Sequence, residues 1–273
     1  MASLRPEANC APLSKNWQHA GIIWQNWQSW VSWTETRRPD PWQDAMAKPP
    51  ARRSSSSEIT AFLQQSRTIT EFVDKQARLI FAIDATASRQ PTWDTACHLQ
   101  ASMFKATHAA DALAVQLCYY RGFNEFKASA WLTGSGDLGR QMARVSCEGG
   151  HTQIGRLLRH GLAAHQGTPV KALVFIGDAV EENPDSLCNL AGQCGLAGLP
   201  LFVFQEGHSS AVEKTFRTMA KVSGGAYARF DQSSAAKLAS LLGAVASYAT
   251  GGRKALENIN TDGAKLLLRQ LNT

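Results

Sequence analysis

From residue 58 onward, short apolar runs alternate with longer stretches of helical pattern. The short runs are almost continuously apolar, which is typical of strands that are covered on both faces of a sheet. They predict six strands, at residues 78–84, 113–121, 126–132, 170–177, 199–205 and 226–230. The stretches between and around them predict helices at residues 58–76, 92–111, 138–145, 153–165, 184–195, 211–222 and 234–248.

Strands that alternate with helices favour an α/β fold with a doubly wound, mostly parallel sheet of Rossmann-like type. The second and third strands are joined by the short turn 122–125, so we expect a hairpin and therefore one antiparallel edge strand in a six-stranded sheet. A last amphipathic stretch, 264–271, predicts a helix that packs either on this domain or on another chain.

Composition divides the chain into three parts: residues 1–57, a domain at 58–250 that includes an approach helix, and a short tail at 251–273. The first part holds six of the eight Trp and six of the ten Pro but one of the 21 Gly. Its Trp residues recur every three positions between Trp24 and Trp33. Two interpretations stay open for this first part. It is either a flexible leader, with Met46 as an alternative first residue of the protein, or a helix that binds a partner.

With 44% hydrophobic and 18% charged residues, the chain can bury a sizeable core. The net charge of +6 is spread along the sequence, so nucleic acid is not the expected ligand. No apolar stretch approaches the roughly 20 residues of a membrane-spanning helix, and no secretion signal is evident. We therefore expect a cytoplasmic protein whose six Cys, which form no CxxC pair, are reduced thiols.

Polar residues follow two of the predicted strands. Asp84, Thr86 and Ser88 stand at alternate positions at the end of the first strand, and Asp178 directly follows the fourth. Alternate residues of an extended segment point the same way, so these oxygens can converge on one point. Thr152 adds a hydroxyl from a loop that precedes a predicted helix. Ligands of doubly wound sheets bind beyond the carboxyl ends of the strands, and Mg²⁺ accepts oxygens of this kind.

Each of these residues also has a purely structural explanation. Thr86 or Ser88 could cap the helix that follows them, Thr152 could cap the next predicted helix, and Asp178 could begin a turn. His151 lacks a Cys or His partner at a spacing that suits zinc, and we interpret it as a loop residue.

Taken together, Asp84-x-Thr86-x-Ser88, Thr152 after paired glycines and Asp178 at the end of an apolar strand resemble the metal-ion-dependent adhesion site of a von Willebrand factor A (vWA) domain. The resemblance implies that Thr86, Ser88 and Thr152 are hydroxyl ligands. It also implies that Asp84 and Asp178 hold the ion directly or through water. The ion would be Mg²⁺ or another divalent cation such as Mn²⁺.

The resemblance covers about residues 75–248, and the sequence departs from the family pattern at three points. Thr86 stands where Ser is more frequent, which conserves the hydroxyl. His151 is an extra residue between the glycines and Thr152, and Ala179 replaces the usual Gly after the second aspartate. These two changes concern the backbone of the loops rather than the ligand atoms.

The function implied by the resemblance is binding rather than catalysis. The ion would capture an Asp or Glu carboxylate of a partner protein, and related bacterial intracellular domains resemble adaptors for AAA+ ATPases, chelatases or chaperone systems. The alternative is an Mg²⁺-dependent hydrolase of phosphatase type that uses the same residues. Against it, Thr86 stands where such enzymes usually have a second acid. The oligomeric state stays open.

Two other motifs are set aside. Residues 134–139 match GxGxxG but follow the third strand and lack an acidic residue near position 159, so we expect a loop at the edge of the metal site instead. Residues 207–211 resemble the turn that carries a nucleophilic serine, but no histidine follows His208 to complete a triad.

Overall fold

A computed structural model describes residues 54–74, 76–99, 113–231 and 234–271 of the protein. Residues 1–53 lie outside the described residues, and both interpretations of the Trp-rich segment stay predictions. The chain divides into two units between Ala61 and Phe62. Helix α1 (Ser56–Asp74) crosses this division, and β1 and every later element belong to the second unit.

The strands and helices of this unit alternate as the sequence predicts. The strands are β1 (Ala77–Asp84), β2 (Leu113–Arg121), β3 (Glu125–Leu132), β4 (Val170–Gly177), β5 (Leu201–Glu206) and β6 (Ala226–Phe230). The helices are α2 (Gln90–Leu99), α3 (Ser135–Met142), α4 (Ile154–Gly167), α5 (Pro184–Ala197), α6 (Ser210–Val222), α7 (Ala235–Glu257) and α8 (Asp262–Gln270). One turn of 3₁₀ helix, Ala87–Arg89, precedes α2.

The six strands form one sheet in the order β3-β2-β1-β4-β5-β6. All neighbouring pairs are parallel except β2 and β3, which form the predicted hairpin and place β3 antiparallel at the edge. The predicted fold class is therefore confirmed. Because β1, β4 and β5 are parallel neighbours, their carboxyl ends meet at one edge of the sheet.

The core lies on both faces of the sheet. In β1, Leu79, Phe81 and Ile83 belong to one buried cluster, whereas Ile80 and Ala82 belong to the other. This alternation follows from the two-residue period of a strand, and it explains why the run is apolar at every position. Helices α2, α3, α7 and α8 cover the first face, and α4, α5 and α6 cover the second.

The loop expected at residues 134–139 is a wrong prediction. Apart from Gly134, these residues lie in α3, which begins three residues before the predicted helix. Leu138 and Met142, one helical turn apart, are fully buried, and the Trp93 Nε1–H donates a hydrogen bond to the Met142 carbonyl at 3.1 Å. Because β3 is antiparallel to β2, α3 begins at the end of the sheet opposite to the carboxyl ends of β1 and β4.

The remaining predicted helices differ at their ends. The helix predicted at 92–111 is described as α2 over Gln90–Leu99, and residues 100–112 lie outside the described residues. Helix α7 runs past its predicted end to Glu257, through a kink at Gly252, whose φ of 64° favours glycine.

The tail forms helix α8, which packs on the domain. Ala264 and Leu267 are fully buried in the core cluster of the first face. The side chain of Gln270 accepts a hydrogen bond from the Tyr227 N–H at 2.9 Å and donates one to the Tyr227 carbonyl at 2.8 Å. These bonds cover part of the exposed edge of β6, where unpaired backbone groups would otherwise face solvent.

No helix within the described ranges is long and apolar enough to cross a membrane. The five cysteines among these residues are free thiols. Burial raises the pKa of the Cys118 thiol to about 12, so this side chain behaves as a small apolar core residue.

Candidate metal site

Asp84 and Asp178 leave neighbouring strands at the same edge of the sheet. Asp84 is the last residue of β1, and Asp178 directly follows β4. Ile83 pairs with Ile176, so Asp178 lies one residue beyond the position opposite Asp84 and both carboxylates emerge at the same end of the sheet. The structure thus brings together the two acids that the sequence predicts.

The carboxylate of Asp84 is completely buried and oriented by two hydrogen bonds. Its Oδ1 accepts the Thr86 N–H at 2.7 Å, and its Oδ2 accepts the Tyr120 hydroxyl at 3.1 Å. Burial raises the pKa of the Asp84 carboxyl above its ordinary value. Hydrogen bonds from Thr86 and Tyr120 oppose the shift, whereas nearby Asp178 adds to it. A buried anion in this position is stabilised by any cation that approaches it.

Thr86 and Ser88 lie in the loop that leads from β1 to α2. Thr86 has extended backbone, with φ −70° and ψ 160°, and its side chain makes no capping hydrogen bond to the 3₁₀ turn that follows. Ser88 lies within that turn and is exposed. The capping explanation is therefore wrong for Thr86, whose hydroxyl remains near the Asp84 carboxylate.

Thr152 is buried and is bonded to the loop that follows β4. Its N–H donates to Glu181 Oε2 at 2.8 Å, and its Oγ1 accepts the Glu181 N–H at 3.1 Å. Thr152 does not cap helix α4. Instead, the Glu182 carboxylate accepts the N–H groups of Ile154 at 2.5 Å and Gly155 at 2.9 Å. Glu182 thus accepts hydrogen bonds from backbone amides at the start of α4 that have no partner within the helix.

The loop before Thr152 approaches the β2–β3 turn closely at two glycines. A Cβ atom on Gly150 would lie 1.9 Å from the Gly122 carbonyl oxygen in the β2–β3 turn. The His151 N–H donates to that same oxygen at 3.2 Å. His151 is exposed, and its Nδ1 lies 3.2 Å from Glu181 Oε2. The loop that carries Thr152 is therefore held between the hairpin turn and the segment after β4.

Asp178 carries the most informative atom of the site. Its Oδ1 is buried and has no hydrogen-bond partner, and its Oδ2 lies 3.5 Å from Nη1 of Arg89. Arg89 is itself buried and also pairs with Glu206 at the end of β5. The sequence reasoning did not include Arg89 or Glu206. Two positions in the sequence could have indicated them. Arg89 directly follows Ser88, and Glu206 directly follows the fifth predicted strand, whose carboxyl end lies beside that of the fourth.

These residues fit a divalent cation. Buried carboxylate oxygens that lack a partner are rare, and Asp178 Oδ1 is one of them, near the fully buried carboxylate of Asp84. The described ranges contain no group of three or more His, Cys, Asp or Glu side chains suited to a metal ion. A cation here would therefore rely on hydroxyl oxygens in addition to two carboxylates, a hard donor set of the kind that Mg²⁺ and Mn²⁺ accept.

The chain has the vWA fold, as the order of its strands and helices indicates. Similar solved structures include the SpRpn10 VWA domain, which is 12% identical, with a TM-score of 0.48 and coverage of 60% of this chain and 95% of the other. The pilus adhesin SpaC from Lactobacillus rhamnosus GG is 10% identical, with a TM-score of 0.50, over 64% of this chain and 30% of the adhesin. The vWF domain of the pili tip protein Mfa5 from Porphyromonas gingivalis is 9% identical, with a TM-score of 0.48, over 63% of this chain and 94% of the other.

At these identities the similarity concerns the fold alone. No protein-family model matches the chain, and no curated protein sequence matches it. The assignment of the five site residues consequently depends on the geometry described above.

Proposed function

We propose that the protein is a metal-dependent protein-binding domain that captures an Asp or Glu side chain of a partner protein. The buried, unpaired Oδ1 of Asp178, next to the buried Asp84 carboxylate, is the observation that carries this proposal. It supports a site that accepts a cation at the carboxyl edge of the sheet.

Five residues would hold the ion: Asp84, Thr86, Ser88, Thr152 and Asp178. When bound, a divalent cation supplies a Lewis-acidic position that an incoming carboxylate can occupy. The protein's own contribution is orientation. The hydrogen bonds from Thr86 and Tyr120 hold Asp84, and those with Glu181 hold Thr152. Three of the five donors are neutral hydroxyls, which leave the ion more electrophilic than carboxylates in the same places would, so it can attract the partner's carboxylate.

The proposed cellular role is that of an adaptor, serving an AAA+ ATPase, a chelatase or a chaperone system in the cytoplasm. The support for this is the vWA fold together with the candidate metal site at the carboxyl ends of β1 and β4. The partner would be recognised through its acidic side chain, and neither a membrane nor nucleic acid is required.

The test uses an acetylated, amidated pentapeptide with a central Asp as the probe and the full chain as the receptor. The solution contains about 5 mM Mg²⁺, because Mg²⁺ binds weakly to sites of this kind. We expect addition of the peptide to change the NMR chemical shifts of Thr152 and its neighbours. With EDTA, or with Asn in place of Asp in the peptide, the changes should vanish. Peptide binding that is unaffected by EDTA would contradict the proposal.

The alternative of an Mg²⁺-dependent hydrolase is tested in the same samples. Addition of p-nitrophenyl phosphate should yield no metal-dependent release of nitrophenol above that of an Asp84→Asn variant. Metal-dependent turnover that this substitution abolishes would favour the hydrolase and overturn the binding function.

A further inference from the structure

A buried guanidinium lies inside the candidate metal site. Arg89 follows Ser88 directly and is only 2% exposed. Its Nη1 lies 3.5 Å from Asp178 Oδ2, and its Nη2 pairs with Glu206 Oε2. The Thr92 hydroxyl donates to the same oxygen of Glu206. The carboxyl ends of β4 and β5 are thus linked through one side chain.

Arginine is almost never buried unless carboxylates pair with it, because removing its charge from water is costly. Here the partners are two acids that the fold places at adjacent strand ends. Arg89 Nε nevertheless has no hydrogen-bond partner, and neither has Asp178 Oδ1. The guanidinium therefore satisfies Asp178 only in part and leaves one oxygen for another cation.

The charges around Arg89 determine how it affects the binding of a divalent cation. Asp84, Asp178 and Glu206 carry three negative charges, and Arg89 returns one positive charge. A divalent cation held by Asp178 would share that carboxylate with the guanidinium and would be repelled by it at short range in a buried environment. A neutral side chain of similar length would remove both the competition and the repulsion.

We infer that Arg89 is a resident cation that sets the affinity of the site for divalent metal ions. It pairs Asp178 with Glu206 in the metal-free protein, and it weakens metal binding by competing for Asp178. The inference deepens the proposed function and rests on it, since it concerns the same site. It assigns Glu206 a role as well: this carboxylate draws the guanidinium toward β5 and away from the ion.

The test measures the affinity of the full chain for Mn²⁺ alone, by calorimetry and by electron paramagnetic resonance of the free ion. Arg89→Met should bind Mn²⁺ roughly 10- to 100-fold more tightly than the natural chain, a change as large as the loss that typically follows mutation of a supporting partner of a metal ligand. Arg89→Lys, which keeps the charge, should stay near the natural affinity. Glu206→Gln should bind several-fold more weakly, because the guanidinium then has Asp178 as its remaining acid.

The double variant Arg89→Met/Glu206→Gln separates local competition from net charge. It has the same total charge at the site as the natural chain. It also provides a fallback if Arg89→Met alone fails to fold, because it leaves no buried Glu206 carboxylate without its arginine partner. We expect it to bind Mn²⁺ more tightly than the natural chain. An affinity of the double variant equal to the natural one would overturn the inference, because any gain in Arg89→Met would then come from net charge alone.

Thermal unfolding provides a second readout. Without metal, Arg89→Met should melt at a lower temperature than the natural chain, and Mn²⁺ should raise its melting temperature by more than it raises that of the natural chain. A merely structural arginine would lower the melting temperature without this larger metal effect.

The outcomes also distinguish the inference from the proposed function. Binding by the natural chain with no gain in Arg89→Met would overturn the inference and leave the function standing. Binding by Arg89→Met alone would support the inference and contradict metal-dependent capture by the natural protein. An absence of binding in every variant would overturn both.

Discussion

Thr152 and Glu181 exchange two hydrogen bonds, one from each backbone N–H to the side chain of the other residue. The Thr152 hydroxyl therefore accepts one bond and keeps a second lone pair for another partner. This arrangement fixes a candidate ligand from the loop before α4 against the segment that follows Asp178. Two separate loops of the site are thus positioned together.

Substitutions at Thr152 test whether that hydroxyl is used. Thr152→Val keeps the shape of the side chain but removes the oxygen, so it should weaken Mn²⁺ binding roughly tenfold or more. It should also lower the free energy of unfolding by about 1 kcal/mol through the lost bond from the Glu181 N–H. Thr152→Ser should retain both properties. Calorimetry and urea unfolding provide the measurements, and equal Mn²⁺ affinity in the Val and Ser variants would exclude Thr152 as a ligand.

Glu182 stabilises the start of α4 and is not one of the proposed ligands. Glu182→Ala removes the acceptor for the N–H groups of Ile154 and Gly155, so it should lower the free energy of unfolding by about 1 kcal/mol. Its effect on Mn²⁺ affinity should be much smaller than that of Asp84→Asn. Glu182→Gln, which keeps one acceptor oxygen, serves as the matched comparison in urea unfolding. A loss of metal binding as large as that of Asp84→Asn would instead place Glu182 among the ligands.

The paired glycines before Thr152 offer a substitution with a built-in control. Gly150→Ala would place a Cβ atom 1.9 Å from the Gly122 carbonyl oxygen, so the loop or the hairpin turn must move. We expect a cost of about 1–3 kcal/mol in unfolding free energy and weaker Mn²⁺ binding. Gly149→Ala meets no atom within 4 Å and should leave both nearly unchanged. Similar results for the two variants would show that the close approach does not position the site.

His160 predicts a pH dependence of stability that is separate from the metal site. Its Nε2 lies 2.8 Å from Gln116 Oε1, and burial lowers its pKa below the ordinary value of 6.5. As the pH falls below about 6.5, the unfolded chain takes up the proton before the folded one, so the stability present at higher pH declines. The measurement is urea unfolding at about pH 8 and about pH 5.5, which lie on either side of that ordinary pKa. Between these two values, the free energy of unfolding should fall less for His160→Gln than for the natural chain. The exposed His208→Gln serves as the control, and equal declines in both variants would contradict the assignment.

The fold could be predicted from the sequence because β1, β2, β4 and β5 are buried on both faces along most of their length. A run such as 170–177 is apolar nearly throughout, and few structures other than a covered strand suit it. The acids at the strand ends could be predicted for a related reason, since parallel neighbouring strands bring Asp84 and Asp178 to one edge of the sheet. The vWA fold expected from these residues is confirmed, whereas their role as metal ligands remains a prediction.

Other features depend on contacts that local patterns do not encode. The pairing of Arg89 with Glu206 joins the connection after β1 to the last residue of β5. The approach of Gly150 to Gly122 depends on how a hairpin turn meets a distant loop. The glycine-rich motif at 134–139 was misassigned because glycines favour loops. There, the burial of Leu138 and Met142 outweighs the helix propensity lost at the glycines.

The most direct test of the account is the affinity of the full chain for Mn²⁺, measured by calorimetry for the natural sequence and for two variants of equal charge. Asp84→Asn removes the charge of the buried carboxylate, and Asp185→Asn removes one from an exposed position in the first turn of α5. The account predicts one bound ion in the natural chain and in Asp185→Asn, and none in Asp84→Asn. Equal Mn²⁺ binding by all three proteins would contradict it.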